Sequence, residues 1–142
     1  MSQKRSKPRT AKGLAALCAK LADEIIASYI YIMDLTSIES SPADYFVVCS
    51  AESDIQARAI AEHIVLECKH TGLQTPKVEG TENAQWILLD FFDVVVHVML
   101  KETRNFYKLE SLWGDSKFYQ LSGKGRIKPI KKNDLFKQSE AE

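Results

Sequence analysis

The chain has 142 residues, 45% of them hydrophobic, and its 19 Lys and Arg balance 19 Asp and Glu to a formal net charge of zero. That length suits a single domain with a real core, and the apolar share is that of a globular protein rather than a disordered or fibrous one. No apolar run approaches membrane-spanning length, and the first 13 residues lack the hydrophobic stretch of a secretory signal.

The zero hides a pattern. Lys4, Arg5, Lys7, Arg9 and Lys12 make residues 1–13 basic with no acid, acids outnumber bases through 14–116, and 117–142 is basic again. The chain therefore divides into a basic N-terminal tail (1–13), an acidic body (14–116) and a basic C-terminal extension (117–142). An acidic body with basic ends suits a surface that carries both RNA and a basic protein; solvated tails are the plainer account. The tail also shares the acid-poor composition of organelle presequences, though it is short. Cys18, Cys49 and Cys68 sit inside apolar patterns and are odd in number, which suits a reducing compartment.

Residues 14–27 form the first expected helix. Leu14, Leu17, Cys18, Leu21, Ala22 and Ile25 recur at helical spacing, with Asp23 and Glu24 facing away. The period then changes to two, and 29–35 and 44–50 read as neighbouring antiparallel strands joined by a Ser-, Glu- and Pro-rich turn. Ser53 and Gln56 make a capping box that opens a long helix, and Gly72 closes it. Ile55, Ala59, Ile60, Ile64 and Cys68 are its expected buried stripe, with Gln56, Arg58, Glu62, Glu67 and Lys69 outward. Residues 76–79 are a short strand candidate. Strands 86–90 and 93–100 follow as a hairpin turning at Phe91-Phe92. Its Val94, Val95, Val96 and Val98 suit a strand buried on both faces. A two-residue turn pairs Asp90 with Asp93, Leu88 with Val95 and Trp86 with His97, all on one face. A single helix over 102–113 is expected next, with Phe106, Leu109 and Trp113 inward and Tyr107 off that stripe. The segment from Lys117 onward reads as weakly ordered or locally packed. The fold class is α/β (α+β): one mixed sheet packed by helices.

Candidate chemistry is thin. The CSAESD strand-to-helix turn has no glycine and carries Glu52 and Asp54, which disfavours a phosphate. Asp90 and Asp93, joined by Asp44, are candidate ligands for magnesium, but acids beside a tight turn are commonly turn formers. His63, Cys68 and His70 lack zinc spacing, so no metal and no cofactor is expected. His97 lacks a nameable nucleophile or substrate pocket. Trp86 and Tyr107 suit either core packing or a binding hot spot.

The runs ADYFVVCSAESDIQARAIAEHI, KVEGTENAQWILLDFFDVVVHVM and RNFYKLESLWGD, in this order, resemble the ribosome silencing factor family, also called RsfS or Iojap, over about residues 14–115. The resemblance implies a cytoplasmic, non-enzymatic translation factor with a nucleotidyltransferase-like topology that lacks the catalytic motifs. It implies binding to the large ribosomal subunit through ribosomal protein L fourteen, which blocks joining of the small subunit when nutrients are scarce. By position, Trp86, Tyr107 and nearby Phe91 match the partner contact, and Asp90, Asp93 and His97 match site-shaping positions. The basic ends then suit contacts with ribosomal RNA. Two positions depart from the pattern, since Ala51 and Phe92 stand where the family usually has glycine. Two other readings stay open. One is a divergent nucleotidyltransferase using Asp44, Asp90 and Asp93 with magnesium; the other is a homodimer whose hairpin face is its own partner surface. An organelle remains the alternative to a bacterial cytoplasm.

Overall fold

The structure, a computed structural model, describes residues 5–123 and 125–137. Lys4 of the basic tail, Lys124 and the last five residues of the C-terminal extension lie outside the described residues. The elements are α1 (Ala11–Glu24), β1 (Ser28–Asp34), β2 (Tyr45–Ala51), α2 (Asp54–His70), β3 (Lys77–Glu79), β4 (Trp86–Asp90), β5 (Val94–Leu100), α3 (Lys101–Tyr107), α4 (Leu109–Leu112), β6 (Lys117–Leu121) and β7 (Ile127–Ile130). The strands form one sheet in the order β3-β4-β5-β2-β1-β6-β7. β2 and β5 pair in parallel at its centre, and every other pair is antiparallel. This is the single mixed sheet expected from the sequence.

The centre is placed by composition. β2 is buried along its whole length and β5 along all but its last residue, as strands rich in β-branched and apolar residues require when both faces are covered. α1 and α2 cover one face. Leu17, Leu21, Ile60 and Ile64 meet Ile32, Val47, Leu89, Val94, Val96 and Val98 there. The opposite face carries Met33, Leu35, Phe46, Val48, Val95 and Met99, closed by Leu109 and by partly buried Trp86 and Trp113.

Several sequence expectations need correcting. On α2, Ile55 is exposed and the buried face is Ala57, Ile60, Ala61, Ile64, Glu67 and Cys68. Glu67, expected outward, is buried because Arg5 reaches it, Nη1 to Oε1 at 2.8 Å, and also bonds Glu24. A charged residue is read as solvated unless its partner is known, and this partner lies 62 residues upstream. The capping of α2 is as expected at Ser53, which accepts from the Gln56 N–H at 3.1 Å. Gln56 returns its own bond one residue earlier, accepting from the Glu52 N–H at 2.7 Å.

The β4–β5 register is two residues from the expected one: Trp86 pairs with Met99, Leu88 with His97 and Asp90 with Val95. A shift of two keeps side chains on their faces, so the facing inferred from sequence survives. The turn is longer than a two-residue one because Phe91 donates its N–H to the Val94 carbonyl and Asp93 stays outside the strand. Phe92 takes a left-handed conformation, φ 79°, with its ring 82% exposed. That backbone costs a non-glycine residue about 1–2 kcal/mol. Glycine gives back part of this through its freer unfolded chain. Phe92→Gly is therefore expected to stabilise the protein by about 1 kcal/mol, read as a higher urea midpoint with an unchanged slope. Ala51, by contrast, is an ordinary buried strand residue opposite Leu100 and needs no glycine.

The last expected helix is two helices. Lys108 adopts φ 51°, a left-handed break between α3 and α4, and Phe106 is consequently exposed rather than inward. The segment from Lys117 is not loosely packed: β6 pairs with β1, β7 with β6, and the sheet gains its last two strands.

Candidate partner-binding site

The start of β4 and the end of β5 lie side by side, and α3 begins at the residue after β5. This brings a file of rings from the core to the surface. Phe46 meets His97 edge-on at 4.5 Å between centroids, and His97 lies 5.9 Å from Trp86. Trp86 is 4.9 Å from Tyr107, and Tyr107 is 5.0 Å from Phe106. Burial falls along the file: His97 is buried, Trp86 half-buried, Tyr107 52% exposed and Phe106 78% exposed. Leu112 of α4 is exposed as well.

The buried end of the file is fixed by hydrogen bonding. Trp86 Nε1–H donates to His97 Nδ1 at 3.0 Å. An indole nitrogen only donates, so Nδ1 accepts and the proton of the neutral imidazole sits on Nε2. Burial first, and the Arg104 charge second, push the His97 pKa down to about 4. In the unfolded chain a histidine protonates near pH 6.5. Between these values the unfolded state binds the extra proton, so stability is full above pH 6.5 and falls as pH drops towards 4. The loss is on the order of 3 kcal/mol. His97→Gln, whose amide oxygen still accepts from Trp86, is expected to flatten that loss in urea unfolding followed between about pH 7 and pH 4.5.

The exposed end is held from beneath by Arg104 of α3, which is 2% exposed. Its Nε and Nη2 donate to Glu110 Oε2 at 2.9 and 2.7 Å, and Nη1 donates to Ser50 Oγ at 2.9 Å. Phe136 lies over the guanidinium at 4.7 Å and donates its backbone N–H to the Tyr31 hydroxyl at 2.7 Å. Residues six apart lie on different sides of a continuous helix, at about 100° per residue. The Arg104–Glu110 pair therefore requires the break at Lys108, and the break turns Phe106 and Tyr107 outward.

Of the residues singled out from sequence, Trp86, Tyr107 and His97 come together. Phe91, Asp90 and Asp93 do not join them. They lie at the far end of the hairpin, four to five strand residues or roughly 13–16 Å from Trp86. Phe91 also packs on the opposite face, against the core beneath α1 and α2. Asp90 accepts the Phe92 N–H at 2.7 Å and shapes the turn. The Asp93 carbonyl accepts the N–H groups of Asp44 and Tyr45 at 2.9 and 3.1 Å, which ties β5 to β2. Among the described residues no group of three or more His, Cys, Asp or Glu is placed to hold a metal ion, so Asp44, Asp90 and Asp93 do not form a magnesium site. His63 instead bonds Glu24 at 2.7 Å. Sequence reasoning missed Phe106, Arg104 and Glu110, because nothing in the local pattern announces a left-handed lysine.

The family model described as ribosomal silencing factor during starvation matches residues 8–142. The chain belongs to the ribosomal silencing factor family. A ribosomal silencing factor of Bacillus subtilis is 41% identical over 110 residues, 78% of this chain and 92% of that protein. A mouse protein named for mitochondrial assembly of the ribosomal large subunit is 38% identical over 73 residues, 49% of this chain and 32% of its own. A crystal structure of a protein from Chromobacterium violaceum superposes with a TM-score of 0.70 at 30% identity, covering 74% of this chain and 87% of that one. One from Bacillus halodurans gives 0.64 at 34% identity, covering 72% and 94%. The bacterial relative is named for a regulatory role, and among the described residues no helix of this silencing-factor chain is long and apolar enough to cross a membrane.

Proposed function

We propose that the chain binds the large ribosomal subunit through ribosomal protein L fourteen and, by occupying that surface, keeps the small subunit from joining. Translation then falls when nutrients are scarce. The observation that carries this reading is the ring file from His97 to Phe106: large aromatics exposed at one end and locked at the other. Such anchors dominate binding energy at protein interfaces. A steric blocker needs occupancy alone, and the acidic body complements a basic ribosomal protein. The basic ends add contacts to ribosomal RNA, and the site of action is the compartment that holds the ribosomes, the cytoplasm.

The test is co-sedimentation with purified large subunits followed by addition of small subunits. The expected result is a protein that travels with the large subunit and lowers the yield of joined ribosomes. Failure to co-sediment at any salt concentration sinks the reading. A doubled mass in that case would point to a homodimer covering the same face, and a nucleotide-dependent rise in Tm would point to an enzyme.

A further inference from the structure

Cations gather at the β6–β7 side of the sheet, away from the ring file, and the fold brings them from both ends of the chain; Asp34 stands across from Lys117 and Glu24 shares a cavity with Lys20. β7 is the outermost strand at one side of the sheet, and β6 beside it packs Tyr119 and Leu121 towards α1. Lys12 of α1 holds its Nζ 4.7 Å from the centre of the Tyr119 ring. Lys20, further along α1, lies against Gly125 in the β6–β7 turn, where a β-carbon would stand 3.8 Å from its Cε. α1 thus lays two exposed ammonium groups on the face of the hairpin that Lys117 shares, while Lys128, two residues from Ile130, points to the other face and Arg126 and Lys131 are exposed at the two ends of β7. Among the described residues none of these six sits in an ion pair, and residues 117–133 contain no acid. The opposite side of the sheet mixes the signs, with Glu79, Glu82, Asp90, Asp54 and Glu62 beside Arg58, Lys69 and Lys77.

Pro129 removes an N–H from the outer strand, which disfavours a further strand there and leaves recognition to side chains. Lys128 sits inside β7, and Arg126 and Lys131 stand just before and just after it, so the cations are spread along the outer strand. No large apolar side chain between 117 and 131 is exposed among the described residues. A membrane-surface segment would pair its cations with exposed apolar groups; a phosphate backbone asks only for the cations.

We propose that this ridge along the sheet edge, with Lys12, Lys20 and Lys117 on one face, Lys128 on the other and Arg126 and Lys131 at the ends of β7, grips the phosphate backbone of ribosomal RNA. The inference rests on the ribosomal function proposed above. It makes the protein a two-point binder, with the aromatic file on a ribosomal protein and the cationic ridge on RNA at another place on the same subunit. Two contacts on one rigid body strengthen each other through effective concentration.

The test is the salt dependence of binding to purified large subunits, for the wild type and for the triple variant Lys20→Gln/Arg126→Gln/Lys128→Gln. All three side chains are exposed, so the variant is expected to keep the wild-type urea midpoint. Each phosphate contact adds about 0.7–0.9 to the slope of log affinity against log salt. Three lost contacts lower the slope by about 2–3, so a fourfold rise in salt costs the wild type roughly 20–40 times more affinity than the variant. The wild type is also expected to retard protein-free large-subunit RNA at low salt, and to leave phosphatidylserine vesicles unbound. Equal slopes for the two proteins, or vesicle binding without RNA binding, would overturn the proposal. Tyr107→Ala separates the two contacts, because it lowers affinity equally at every salt concentration. If it has no effect while the triple variant flattens the slope, the protein contact fails and the RNA ridge stands; the opposite pair of results removes the ridge alone.

Discussion

Arg104→Ala is expected to cost the protein about 3–5 kcal/mol of folding stability. An ordinary domain has about 5–15 kcal/mol in all, so the loss is a large share of the total and is read as a much lower urea midpoint. The size follows from what is left behind. Glu110 is 5% exposed, and both of its bonds to Arg104 go to one carboxylate oxygen. Without the guanidinium that charge is buried with no counter-charge, and Ser50 Oγ loses its donor. Arg104→Lys is expected to fall between, since an ammonium group lacks the planar fork. The informative variant is Arg104→Met/Glu110→Leu. Replacing both members of a buried pair by apolar groups of similar size is often neutral for stability. The double variant should therefore regain most of the lost urea midpoint. It should not regain ribosome binding, because the charge pair is what pins the turn at Lys108. Recovery of both properties together would show that the pair serves stability alone and that packing sets the break.

Legibility from sequence followed the range of the interactions. The hairpin's facing was readable because strand parity is local: Trp86, Leu88 and Asp90 share a face whether the register is right or two residues off. The central strands were readable because a run of four β-branched or apolar residues has few other solutions. Glu67 and the α3–α4 break were not readable. The first depends on Arg5 and the second on a pairing of Arg104 with Glu110 that no continuous helix allows. β6 and β7 failed for a related reason. They pack through spaced single residues, Phe118, Tyr119, Leu121, Ile127 and Ile130, and the surrounding lysines gave the segment the composition of a tail. Trp86, His97 and Tyr107, singled out as oddities in their elements, are brought together by the fold. Phe91 was grouped with them by the family resemblance, and the fold sets it at the other end of the hairpin.

Tyr107→Ala is expected to lower affinity for the large subunit by about 2 kcal/mol, roughly thirtyfold, with little change in stability. The argument turns on which of the two aromatic anchors can be cut without harming the fold. Trp86 packs against the core, and its N–H holds His97 Nδ1. Trp86→Ala therefore leaves a buried acceptor unpaired, at a cost of about 1–3 kcal/mol beyond the lost packing. A loss of binding in that variant would not separate contact from collapse. Tyr107 is half exposed and, among the described residues, makes ring contacts with Trp86 and Phe106. Its removal leaves no buried polar group, and surface truncations of this kind usually stay within about 0.5 kcal/mol. Trp86→Phe supplies the control for the other anchor, keeping a smaller ring in the file while removing the N–H. Binding should follow the ring, and stability and pH response should follow the hydrogen bond. A folded Tyr107→Ala protein that binds large subunits with wild-type affinity would place the partner elsewhere on the surface. An affinity loss shared by Tyr107→Ala and Phe106→Ala, with both urea midpoints unchanged, would locate it on the outward end of the ring file.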